Sequence, residues 1–104
     1  MLRHVVLFRF AGSTSEATIQ RIFDEFADLT ARMPGALGVT SGRNISPEKL
    51  DLGFKHGFVM DFDSADARDA YLAHPDHVRF AEEEVIPALE FGRDSIVVFD
   101  YETT

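Results

Sequence analysis

The chain has 104 residues, 45% apolar and 27% charged, so a single domain spanning residues 1–104 with its own core is expected, not a disordered or low-complexity segment. A formal net charge of −8, from 18 acidic against 10 basic residues, repels polyphosphates and disfavours nucleic acid as a partner. The lack of cysteine excludes disulfides, thiolate metal sites and a cysteine nucleophile, and fits a cytoplasmic protein; no apolar run is long enough to make a membrane a partner.

The opening MLRHVVLFRF is interrupted by Arg3, His4 and Arg9 and reads as a strand, not a leader. From Leu2 to Phe10 its alternation puts His4, Val6, Phe8 and Phe10 on one face and Val5, Leu7 and Arg9 on the other, so both faces are expected to be covered. Ser13 and Glu16 are spaced as a capping box. Ile19, Ile22, Phe23, Phe26, Leu29 and Met33 then recur every three or four residues, which predicts an amphipathic helix ended by Met33-Pro34-Gly35. A second strand is expected from Leu37 to Asn44, then a loop holding Ser46 and Pro47. A third strand begins near Phe54 with Phe54, His56, Phe58, Met60 and Phe62 on its helix-covered face. Ser64 caps a short helix through Ala67, Ala70 and Tyr71 that breaks before Pro75. A second segment opens at Pro75 and runs through Val78, Ala81, Val85 and Leu89, with Pro87 near its end. Ser95 to Phe99 is the last strand, apolar on both faces.

This order is βαββαβ, an α+β, ferredoxin-like arrangement with an antiparallel sheet and helices on one face. Apolar residues on the other face would be left wet in a monomer. Two such sheets meeting face to face would form a homodimeric α/β barrel.

The strings RHVVLFRF, GFKHGFVMDFDS, AYLAHPDHVRF and SIVVFDY, in this order, resemble the stress-responsive dimeric A/B barrel (Dabb) family over essentially the whole chain. The Tyr-x-x-His-Pro-x-His string formed by Tyr71, His74, Pro75 and His77 is the most specific part. The resemblance implies a ferredoxin-like protomer and a homodimer. It also brings a functional precedent, a plant member that closes and aromatises a linear polyketide with no metal or organic cofactor. His4 and His56 are similar in placement to that enzyme's first-strand and third-strand histidines. Phe54 and Gly57 depart from its pattern.

Imidazole titrates near ambient pH, so a neutral histidine suits removal of an acidic C–H beside a carbonyl while a phenol or second imidazole donates to the enolate oxygen. The assignment expected here makes His77 the base, Tyr71 and His4 the donors, and His56 and His74 pocket residues. Phe8, Phe23, Phe26, Phe58 and Phe80 supply an aromatic lining for a small apolar or aromatic ligand. The plainer readings are that His4 and His56 are hydrogen-bonded core residues, that Tyr71 caps the core, and that His74 ends a helix on local carbonyls. No acidic residue is spaced with the histidines as in a zinc-binding helix, and the glycines show no phosphate-loop order, so neither metal nor nucleotide cofactor is expected. Three functions follow: a cofactor-independent cyclase or isomerase, a cofactor-free monooxygenase, or a stress-related dimer that binds an apolar ligand without turnover. A cavity reaching Tyr71 and His77 together separates the first from the last.

Overall fold

The computed structural model describes residues 1–103. Strand β1 spans Leu2–Phe8 and buries Leu2, His4, Val6 and Phe8 as the alternation predicts. The strand is shorter than expected: Arg9 leaves the ladder to bond Ser95 and Glu90, and Phe10 keeps only an isolated bridge to Leu89. Helix α1, Glu16–Arg32, packs Ile19, Ile22, Phe23, Phe26 and Leu29 onto the sheet from one stripe.

Its cap is Ser15, not Ser13. The Ser15 hydroxyl accepts from the Thr18 N–H at 3.1 Å, while Thr14 is tied to Ala88 by its own hydroxyl, so residues 11–14 form a turn and the helix begins after it. Met33 takes an extended conformation before Pro34 and stops the helix. Gly35 then has φ 82°, and a Cβ there would stand 2.6 Å from the Ala67 Cβ, so both the dihedral and the space demand glycine.

Strand β2, Ala36–Arg43, carries an irregularity between Ala36 and Gly38. Strand β3, His56–Phe62, starts two residues later than the pattern suggested, because Asp51 folds the preceding segment into a turn through Gly53, Asn44 and Lys55. Helices α2, Ala65–Ala73, and α3, Pro75–Phe80, meet at His74, whose extended backbone the following proline enforces. The segment then changes pitch twice, to a π turn over Ala81–Val85 and a 3₁₀ turn over Ile86–Ala88. Pro87 has no N–H to continue an α ladder, and the Ile86 N–H reaches back to Ala81 instead. After a further 3₁₀ turn at Gly92–Ser95, β4 runs Ile96–Glu102, three residues beyond the predicted end.

The four strands lie in the order β2-β3-β1-β4, each neighbouring pair antiparallel. This is the expected ferredoxin-like α+β fold. Along β1, His4 stands opposite Met60 on one side and Asp100 on the other, and Phe8 opposite His56 and Ile96. The helices cover one face over a core that includes Phe58, Met60, Phe62, Tyr71 and Val85. The other face presents Val5, Leu7, Val59, Val97, Phe99 and Tyr101 without cover, and Phe99 is 63% exposed. Among the described residues no helix is long and apolar enough to cross a membrane.

Candidate functional site

The break between α2 and α3 decides which side chains meet. Tyr71 sits in the last turn of α2 and His77 in the first of α3, and the extended residue between the helices brings their rings to 4.5 Å between centroids. Both face a cavity of about 610 Å³ between the helices and the sheet, which His4, Phe8, Phe26 and Phe58 also line. Val6, Val85, Ile86, Ile96 and Val98 complete a largely apolar wall. The cavity opens at the edge strand β4, where Val98 is 56% exposed.

The remaining predicted pocket residues do not line this cavity. Phe23 and Phe80 are buried behind its wall, Phe23 against Phe8 and Phe80 against Phe26. His56 lies at the far end of β3, between Phe10 and Phe23, with Nε2 3.6 Å from Glu16 and beyond hydrogen-bond reach. His74 is on the outside. Its Nδ1 accepts from the Asp76 N–H at 3.1 Å and so caps α3, whereas bonding to local carbonyls was expected. Four histidines close in sequence pattern thus separate into two that share the hollow and two that do not.

Each polar group in the hollow has a defined state. His77 Nδ1 lies 3.1 Å from the Leu72 carbonyl oxygen, which only accepts, so the ring hydrogen sits on Nδ1 and Nε2 keeps its lone pair. Burial holds the His77 imidazolium below the usual histidine range. The Leu72 bond opposes this, and the neighbouring His4 and His74 add to it. Tyr71 is 1% exposed and its hydroxyl has no hydrogen-bond partner among the described residues. Burial pushes its phenol well above the ordinary value, so it stays protonated and able to donate. His4, 3% exposed, donates from Nδ1 to Asp100 Oδ1 at 2.7 Å. With Nδ1 so used, it donates toward the cavity only when Nε2 is protonated as well.

Asp100 and Arg68 escaped the sequence reading. Arg68 Nη1 donates to the second Asp100 oxygen at 2.8 Å, and its Nε to Asp69 at 2.9 Å. The signal for Asp100 is a polar residue in register with Ile96 and Val98, one position beyond the Phe99 at which the apolar run ends. Arg68 lies three residues before Tyr71 on the same helical face. Among the described residues no three histidine or acidic side chains gather as metal ligands.

A four-stranded ferredoxin-like sheet under broken helices, with a histidine and tyrosine cavity between the layers, defines a class of small α+β domains. Within it, the chain belongs to the family of the stress responsive A/B barrel domain, whose model matches residues 2–103. It is 31% identical over 104 residues to the stress-response A/B barrel domain-containing protein HS1 of Arabidopsis thaliana, covering 99% of this chain and 90% of that one. To olivetolic acid cyclase of Cannabis sativa it is 22% identical over 100 residues, covering 96% and 94%. A dimeric ferredoxin-like protein of unknown function from Jannaschia superposes with a TM-score of 0.87 at 27% identity, covering 98% of each chain.

Proposed function

We propose that the protein is a homodimeric, cofactor-independent acid–base enzyme of the cyclase or isomerase type, acting on a small, apolar, carbonyl-bearing molecule held between the helices and the sheet. The observation that carries this reading is the Tyr71 hydroxyl, a buried donor left without a partner beside a neutral imidazole in an apolar hollow. An orphaned donor of this kind costs about 1–3 kcal/mol, which a ligand oxygen recovers. In the proposed step His77 Nε2 takes a proton from the carbon beside a carbonyl. The C–H electron pair becomes the enolate double bond, and Tyr71 donates to the oxygen that gains charge. His4, held through Nδ1 by Asp100, is the second donor when its Nε2 also carries a hydrogen. The enolate carbon then attacks a second carbonyl of the same molecule, and His77 returns its proton to the alkoxide formed. The similarity to olivetolic acid cyclase supports this chemistry.

The open sheet face, with Leu7, Val97, Phe99 and Tyr101, is the proposed dimer surface, and the dimeric Jannaschia relative supports it.

In the test, His77→Ala and Tyr71→Phe are each assayed on a β-polyketo substrate of the free acid type. Both are expected to lose at least about a hundredfold in kcat, with the thermal midpoint of Tyr71→Phe unchanged or higher because no hydrogen bond is removed. Full activity in both variants contradicts the assignment. Tight ligand binding with no turnover in the unaltered protein would make it an apolar-ligand carrier instead.

A further inference from the structure

We propose that Arg68 is a positioning residue that, through Asp100, sets the charge state of the His4 imidazole. Three side chains from three elements form one chain of charge-assisted bonds. Arg68 on α2 donates to one oxygen of Asp100 on β4 at 2.8 Å, and His4 on β1 donates to the other at 2.7 Å. All three residues line the cavity that holds Tyr71 and His77.

Asp100 carries one negative charge and faces two groups able to balance it. The guanidinium is permanently charged, so it neutralises the carboxylate whatever His4 does. The imidazole therefore need not be cationic for the pair to be satisfied. It keeps its hydrogen on Nδ1, where the carboxylate accepts it, and its Nε2 remains free to gain or lose a second proton during turnover. Without Arg68, the carboxylate's only balancing partner is His4 itself, and the ring is drawn into the imidazolium form.

Geometry supports this role. His4 is 3% exposed, and the Asp100 side chain is 19% exposed, so water compensates the pair poorly. Arg68 is itself held by Asp69, which is 64% exposed and so pulls it less strongly than Asp100 does. The other groups that face His4 are Tyr71 from α2, neutral and 6.3 Å away between ring centroids, and His77 from α3. From β3 it meets only Phe58, Met60 and Phe62, which do not titrate. Among the described residues Arg68 is thus the permanent cation bonded to the carboxylate that holds His4; the other arginine lining the cavity, Arg93, is 73% exposed and lies 3.6 Å from Glu82.

The purpose assigned to this chain rests on the acid–base reading above, but its test does not. Uniformly ¹⁵N-labelled full-length protein is titrated between pH 5 and pH 9 while long-range ¹H–¹⁵N correlations report both ring nitrogens of each histidine. In the unaltered protein the neutral His4 ring is expected to carry its hydrogen on Nδ1. In Arg68→Gln the same nitrogen stays protonated, but the pH at which Nε2 gains its proton rises by about one unit or more. Arg68→Lys returns it most of the way, Asp69→Asn leaves it unchanged, and His56 is a fold control that does not move. Asp100→Asn abolishes the preference for Nδ1. An Arg68→Gln titration identical to the unaltered one overturns the proposal, as does a neutral His4 ring in that variant with its hydrogen moved to Nε2. If turnover is never found but these shifts are, the electrostatic chain stands and only the enzymatic reading falls.

Discussion

Burial acts on Tyr71 and His77 in the same sense, keeping both uncharged, and the two neutral forms are the ones acid–base chemistry needs, a phenol that donates and an imidazole that accepts. The same fact predicts a pH dependence of stability. The folded state binds the His77 proton less readily than the unfolded chain, which titrates near 6.5. The stabilisation is therefore complete above about pH 6.5 and is lost as the pH falls through the folded-state value. Thermal midpoints measured between pH 7.5 and pH 5 are expected to fall less in His77→Ala than in the unaltered protein; equal falls would mean that His77 does not contribute. At this scale the sequence was informative about Tyr71 and His77, because a fixed spacing across a proline break leaves little freedom for where the rings go. It was uninformative about Arg68 and Asp100. Their role comes from the pairing of the first and last strands, and nothing local in either segment specifies that pairing.

The elements followed their apolar periodicity, and their ends were decided by local competition that periodicity does not record. Two serines lie two residues apart ahead of α1, and the one that caps is the one that follows the tethered turn, while Ser13 is held inside it. Ser15→Ala is accordingly expected to lower the unfolding free energy by about 1 kcal/mol, with Ser13→Ala within a few tenths of zero, as read by urea denaturation. Equal effects would return the cap to Ser13. The broken helix was legible from His74-Pro75, and its separation of histidine roles was not. A kink turns His74 outward to cap α3 while it turns Tyr71 and His77 inward. The π and 3₁₀ turns after Phe80 likewise follow from Pro87, whose missing N–H reorganises the whole turn before it.

For the whole molecule, the fold was the most legible part, since strand faces with apolar residues on both sides require cover that helices on one side of a sheet cannot give. The uncovered face of Val97, Phe99 and Tyr101 predicts a sedimentation mass of twice the 11.7 kDa chain at micromolar concentration, and a monomer for Phe99→Glu. A monomeric unaltered protein would refute the barrel. The cavity is a property of this scale too, because its walls come from β1, β3, β4 and all three helices, with Val98 of the edge strand β4 exposed at its rim. The most direct measurement of what that cavity does is hydrogen–deuterium exchange at the central carbon of a hydrophobic β-diketone in D₂O, followed by NMR with catalytic amounts of protein. The unaltered protein is expected to accelerate exchange above buffer, with the acceleration gone in His77→Ala and sharply reduced in Tyr71→Phe. Exchange at the buffer rate in the unaltered protein, or acceleration that survives both substitutions, would contradict proton transfer at this site.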